Sequence, residues 1–229
     1  MDEREAIGER HSVRTYDNRA LSGEDAKILA EACAKASEES GLTFTLVVDE
    51  REAFSAGLLH YGKLNGVANY IAITGPKGRK ADELAGYYGE RLVILAQTMG
   101  VMSCWAGAAY SKRRTKVDLR PGQRLIIAIA LGYSEDRGNP HRSRSFDEVA
   151  SAKLTTAPVW FVEGVKAALL APTAINQQRF HLTMTDRTGD GGLPVVELTA
   201  KFGPYSHVDL GIVRYHFEVA AGRYNFVWA

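Results

Sequence analysis

Apolar positions recur along this chain at two periods, one helical and one alternating, and polar or glycine-rich breaks separate the segments. Asp2 to Glu9 is short and helix-prone. Ser22 followed by Asp25 resembles a capping box and opens a helix through Ala36. Leu42 to Val48 is β-branched and aromatic, with apolar alternation at its start, and reads as a buried strand. A second strand is expected at Tyr70 to Thr74, closed by Gly75-Pro76. Leu84, Leu92, Leu95, Ala96 and Met99 fall at helical spacing, and Gly100 is a natural stop. Arg124 to Tyr133 is apolar almost throughout, as a strand covered on both faces would be. A polar loop with Gly138, Asn139 and Pro140 follows, then a short helix near Phe146 to Ala152. Beyond it come a helix at Val162 to Leu170, a strand at Phe180 to Thr185 and a glycine-rich turn at Gly189 to Gly192. A strand near Val195 to Leu198 and a helix from about Val208 to Ala221 complete the pattern. The order lacks a regular βαβ rhythm, so the expected class is α+β, a mixed sheet covered by helices.

Composition narrows this picture only a little. The 229 residues, 45% hydrophobic and 24% charged, suit a globular chain with a sizeable core. A net charge of +1 argues against a protein held on nucleic acid mainly by charge. Two cysteines, Cys33 and Cys104, are too few for a disulfide framework. The N-terminus has no apolar core for a signal peptide, and no apolar run reaches the ~18 residues of a membrane span. A cytoplasmic protein without a membrane partner is the expectation.

Two segment pairs suggest an internal repeat. Leu29 to Val48 and Val165 to Met184 both run from a small-residue helix through a polar turn into a strand, with Phe44 falling on Phe180. Gly89 to Gly100 aligns with Gly211 to Gly222, and Trp105 and Trp228 follow the second glycine at similar distance. Helix–turn–strand and helix–glycine are common enough for chance to produce such pairs. Residues 1–150 are expected to form a first half and 151–229 a shorter second half. The polar features of the two are complementary: Arg10-His11-Ser12-x-Arg14 has no counterpart in the second. Pro172 to Gln178 faces Ser37-Glu-Glu-Ser40-Gly-Leu42 in the first.

Arg10, His11, Ser12 and Arg14 place two fixed cations and a hydroxyl within five residues, which suits a phosphate. An exposed charged helix end would look the same. Arg142 and Arg144 form a second pair in a loop, either solvated or set to neutralise the same phosphate from the opposite side. Asn176 and Gln178 can donate and accept, as the edge of a flavin or nucleobase requires, although turn chemistry alone explains such residues. In Ser103-Cys104-Trp105-Ala106-Gly107-Ala108, small residues around one tryptophan would let the backbone approach a flat ligand; a tight turn under a core tryptophan fits equally. No nucleophile elbow, Cys–His pair or metal-ligand spacing occurs in the sequence, so neither a catalytic side chain nor a metal is expected.

These residues bring a resemblance into view. The chain resembles the nitroreductase family of FMN enzymes, in particular a subfamily whose single chain is a fused, degenerate dimer. The family's N-terminal signature resembles Arg10-His11-Ser12-x-Arg14 with Tyr16 following. Its Pro-Ser-x-x-Asn-x-Gln-Pro-Trp signature resembles Pro172-Thr173-x-x-Asn176-x-Gln178-Arg179-Phe180. Asp209-Leu-Gly211 and Cys104-Trp105-Ala106-Gly107 resemble two further motifs. The resemblance implies an FMN site in which Arg10, His11, Ser12, Arg14, Arg142 and Arg144 hold the phosphate. Cys104, Trp105, Ala106 and Gly107 would line the flavin ring, with Pro172, Thr173, Asn176 and Gln178 standing where a partner subunit would be. NADH or NADPH would be the electron donor, and the flavin rather than a side chain would carry the redox chemistry. The chain would be a monomeric pseudo-dimer or a homo-oligomer acting on a small electrophile of nitroaromatic or quinone type.

Three departures qualify the resemblance. Arg179-Phe180 stands where the family has Pro-Trp, and Ala106 replaces an acidic residue. Ser40 and Leu42 stand in the first half where Asn and Gln would be, so a second flavin site is not expected. Tyr61, Tyr88 or Trp105 could shape an acceptor pocket, though core packing serves each equally, and Lys63 and Asn65 are weaker flavin candidates. Other flavin chemistry on the same fold (reductive dehalogenation, flavin destruction), a non-enzymatic or regulatory FMN-binding protein, and a nucleotide-binding module stay open as alternatives.

Overall fold

The computed structural model describes residues 1–55, 64–140, 142–152 and 156–229. Helix α1 (Glu3–Glu9) opens on a capping box, in which Asp2 accepts from Glu5 N and the Glu5 carboxylate accepts from Asp2 N. Helix α2 (Gly23–Ser40) starts where expected, with the Ser22 hydroxyl accepting from Asp25 N at 3.1 Å. It runs one turn past Ala36 to a left-handed Gly41. Then come β1 (Thr43–Val47), a helical turn α3 (Glu52–Ser55), β2 (Asn69–Pro76), α4 (Arg79–Thr98), β3 (Met102–Ala106) and β4 (Gln123–Gly132). The second part holds α5 (Phe146–Val149), α6 (Val159–Ala168), β5 (Phe180–Thr188), β6 (Pro194–Ala200), α7 (Ser206–Ala221) and β7 (Val227–Trp228). Among the described residues no helix is long and apolar enough to cross a membrane.

The class is α+β, a sheet flanked by helices. The larger sheet has the order β1-β2-β4-β3 with its neighbouring strands antiparallel, whereas β6 and β7 of the smaller sheet pair in parallel. Strand β4 is buried from Leu125 to Gly132, as its apolar run predicted. The pleat sends Ile71, Ile73, Ile127 and Ile129 into the core under α2, α4 and α7. On the opposite face Ala72, Ala128 and Ala130 meet Val13 and Tyr16. Small side chains on that face let the N-terminal segment lie on the sheet. Ser12 bridges Ser103, and Val13 N donates to Ser103 O at 3.1 Å. Arg10 to Arg14 are thereby fixed beside β3.

Segment 103–106 corrects the sequence reading. Instead of a tight turn it is strand β3, paired with β4 from Met102 to Ala106; only Gly107 onward turns away. Its small residues fit the interior of a covered sheet.

Helices α4 and α7 cross in backbone contact. A Cβ on Gly86 would lie 2.0 Å from Val208 O, and a Cβ on Gly211 would lie 2.0 Å from Glu83 O, so the contact is reciprocal. At this crossing Gly211 meets Gly86. Gly89 instead makes room for the Trp105 indole, whose Cη2 would stand 2.4 Å from an added Cβ.

Candidate functional site

A cavity of about 460 Å³ opens where four segments converge. This is within the ~300–1,000 Å³ range of small-molecule sites. Arg10, His11, Ser12 and Arg14 form one wall. Cys104, Trp105, Ala106 and Gly107, continuing through Ala108 and Ala109, form the next. The turn Pro172 to Asn176 and the start of α7 (Tyr205, Val208, Asp209, Ile212) close it, with Ile127, Asn139 and Pro204 filling the gaps. The cavity thus joins residues from both parts of the chain.

Arg10 is unusual. Its side chain is 2% exposed, and its Nε has no hydrogen-bond partner; the nearest carboxylate is Glu90 Oε1 at 3.8 Å. Burial pulls its guanidinium below the ordinary value, and Glu90 opposes that shift. Arg14 is exposed and donates to Ser12 O at 3.2 Å. Burial also pushes the Cys104 thiol up, against the pull of Arg14 and Arg10, so the thiol stays protonated near neutrality. The Gly107 position is tight, because a Cβ there would lie 2.6 Å from the Tyr205 ring. Tyr205 donates its hydroxyl hydrogen to Gly107 O, linking the start of α7 to the loop after β3.

The turn before β5 holds residues in the left-handed region: Ile175 (φ 49°), Asn176 (φ 54°) and Gln178 (φ 43°). For a β-branched residue such as Ile175 this conformation is strained. Side chains keep it in place. Asp209 accepts from Ala174 N at 3.0 Å and from Gln177 Nε2 at 2.6 Å, and Thr173 Oγ1 accepts from Gln178 N at 3.0 Å. Burial pushes the Asp209 carboxyl up to about 7, while the bonds from Gln177 and Ala174 act the other way.

Three of the expected residues are not part of the cavity lining. Arg142 and Arg144 are exposed, and Arg144 Nη1 lies 3.7 Å from Glu148. The main chain of their loop is gripped instead. Asn176 Nδ2 and Gln178 Nε2 both donate to Arg142 O, at 3.0 and 2.8 Å, and Gln178 Oε1 accepts from Arg144 N at 2.9 Å. Gln178 is therefore a buried brace. Tyr61 and Lys63 lie outside the described residues. Asn65 pairs with the N-terminal segment, Tyr16 N donating to its carbonyl, and Tyr88 sits away from this cavity. Among the described residues no cluster suited to a metal occurs.

Tyr205, Asn139 and Ile127 are lining residues that the sequence does not mark, and Asp209 is marked only within a motif. Nothing local marks these residues, since the crossing of α7 over α4 brings Tyr205 and Asp209 to the site. On the other side of that crossing lies a groove of about 760 Å³, lined by Lys80, Glu83, Leu84, Tyr87 and Tyr88 of α4, by Leu210 and Arg214 of α7, and by Trp228. There Trp228 Nε1 donates to Glu218 at 2.8 Å, and the Arg214 guanidinium stands 4.9 Å over the Trp228 ring.

Residues 3–221 match the family described as putative TM nitroreductase. The chain belongs to that family. None of the curated proteins matches it. Among solved structures, a putative nitroreductase from Thermotoga maritima is similar at 20% identity and a TM-score of 0.66, over 98% of this chain and 85% of its own. A putative nitroreductase from Desulfovibrio desulfuricans in complex with FMN is similar at 21% identity and a TM-score of 0.51, over 65% of this chain and 94% of its own. A putative NADH dehydrogenase/NAD(P)H nitroreductase from Bacteroides thetaiotaomicron gives 21% and 0.51, over 64% and 95%. These likenesses show a nitroreductase-like fold. The smaller structures match nearly in full yet span about two thirds of this nitroreductase-family chain.

Proposed function

We propose that this protein is an FMN-dependent oxidoreductase. It binds one flavin per chain in the 460 Å³ cavity and uses NADH or NADPH to reduce a small electrophile of nitroaromatic or quinone type by a ping-pong cycle. The observation that carries the reading is the composition of the cavity, in which Arg10 to Arg14 meet Thr173 to Asn176. The residues present fit the group. A buried arginine with an unpartnered Nε suits an anion, and the Gly107 position, which a Cβ would close, leaves the main chain open to a flat ring.

In this reading residues 1–150 and 151–229 are the two unequal halves of a fused pseudo-dimer. Two facts support it: the reciprocal Gly86–Gly211 contact, and the partial coverage by smaller structures, one of which carries FMN. Bound FMN would supply hydride transfer, and the chain would bind and orient it. Arg10, with His11, Ser12 and Arg14 near it, would hold the phosphate. Cys104 to Gly107 would flank the ring, and Thr173 and Asn176 would close the site from the second half. Pro172 shapes the turn, while Gln178 and the main chain of Arg142 and Arg144 hold it in register.

The test is the absorbance spectrum of the purified protein and its titration with NADH and NADPH without oxygen. A yellow protein with one FMN per chain that either dinucleotide bleaches is expected. A yellow protein bleached by neither would make it a flavin-binding protein without this activity. A protein that takes up no FMN overturns the reading.

A further inference from the structure

Behind the cavity wall lies a closed polar cluster. Glu90 of α4 and His216 of α7 are both 0% exposed. Trp105 Nε1 donates to Glu90 Oε2 at 2.7 Å, and His216 Nε2 lies 2.8 Å from Glu90 Oε1. The other ring nitrogen, His216 Nδ1, is 3.0 Å from Ala167 O. A carbonyl oxygen only accepts, so Nδ1 carries a hydrogen. The short Nε2–Oε1 contact then needs a second proton, because otherwise a lone pair would face a carboxylate oxygen. Wherever that proton sits, His216 and Glu90 together are neutral.

The neutrality of this pair explains Arg10. A buried guanidinium normally takes a carboxylate in close, paired geometry. Here the nearest carboxylate is already answered by an imidazole and an indole. Arg10 stops at 3.8 Å from Oε1 without a hydrogen bond. We propose that His216 is a positioning residue: by neutralising Glu90 it leaves the charge of Arg10 uncommitted, and that charge is what receives the phosphate of the bound flavin mononucleotide. This rests on the flavin reading above and extends it to two helix residues that do not line the cavity.

The experiment is fluorescence titration of FMN and of riboflavin, which lacks the phosphate, into the full chain. His216→Asn keeps an amide nitrogen for Ala167 O and removes only the contact to Glu90. Glu90 then recruits Arg10, and FMN affinity falls about tenfold or more while riboflavin affinity changes less than about twofold. The double variant His216→Asn with Glu90→Gln removes the competing charge and brings FMN affinity back to within about threefold of the parent. A purely structural role predicts the opposite, a double variant weaker than the single one. Unchanged FMN binding in His216→Asn, or no recovery in the double variant, overturns the inference. If His216→Asn does not fold, Glu90→Gln alone decides: retained or tighter FMN binding supports the proposal, and a clear loss overturns it. A parent chain that binds neither flavin overturns the flavin reading and this inference together.

Discussion

On one side of the α4–α7 crossing, Tyr205, Val208, Asp209 and Ile212 of α7 wall the cavity; on the other, Lys80, Glu83, Leu84 and Tyr87 of α4 wall the groove. The two sets stand at the same intervals from Gly211 and Gly86, the glycines that meet at the crossing. Each hollow also has a tryptophan bonded to a glutamate, Trp105 to Glu90 and Trp228 to Glu218. The surroundings differ. Trp105 borders Arg10 and a cavity, whereas Trp228 lies under Arg214 in an open groove crossed by charged side chains. Positions at the same intervals from the two glycines therefore carry different chemistry, and the difference comes from what the flanking loops bring. The N-terminal segment and the Thr173 turn reach only one of the hollows.

The comparison breaks most completely if the crossing is disturbed. Gly211→Ala sets a Cβ against Glu83 O, a backbone atom that cannot turn aside. It is expected to cost about 5 kcal/mol or more and leave the chain largely unfolded in urea titrations. Near-parental stability would mean that the helices cross differently.

Titration sharpens the contrast at one position. Asp209 stands two residues before Gly211 and Leu84 two residues before Gly86, so at this interval only the cavity side holds a buried carboxyl. Its value of about 7 lies above the ordinary carboxylate value of roughly 3.9, so the folded chain binds this proton more tightly than the unfolded chain does. Its contribution to stability is full below about pH 4 and is lost as pH rises through about 7. Asp209→Asn should therefore gain on the parent by roughly 3 kcal/mol between pH 4 and pH 8, read from urea midpoints. A difference that stays constant with pH would mean that Asp209 does not titrate in this range.

Smaller effects test the asymmetry of the halves. Asn176→Ala removes the donor to Arg142 O and is expected to weaken FMN about tenfold. Ser40→Ala removes a hydroxyl that donates to Ala36 O and accepts from Leu42 N at the end of α2, and should leave flavin binding nearly unchanged. Equal effects would undo the asymmetric site. Smallest of all, Trp228→Phe loses the bond to Glu218, about 1 kcal/mol of stability, with FMN stoichiometry still one per chain.

Much of the fold is written in the local pattern. Helices α2, α4 and α7 and strand β4 are long enough for one-sided or complete burial to show as periodicity. Strand β3 was hidden because its small residues suit a turn as well as a covered sheet. Strand β7, Val227–Trp228, is a strand only through its pairing with β6. The first turn of α4 was missed because its outward side faces the groove and is polar. In the site, Arg10 to Arg14 and Thr173 to Asn176 were visible as clusters. Arg142 misled because the turn holds its carbonyl oxygen, an atom every residue has. Glu90 and His216 gave no signal, since each sits among charged residues of its helix and meets the other only in the folded core.

The paired glycines at the crossing set a rule for how this protein can diverge. Most core contacts can drift, because a larger side chain on one helix can be matched by a smaller one opposite. Here both partners are already at the minimum, and the obstacle each would meet is main chain. No second change elsewhere restores the space. The side chains that line the cavity from the N-terminal segment and the Thr173 turn lie outside this contact, so they can change without disturbing the crossing.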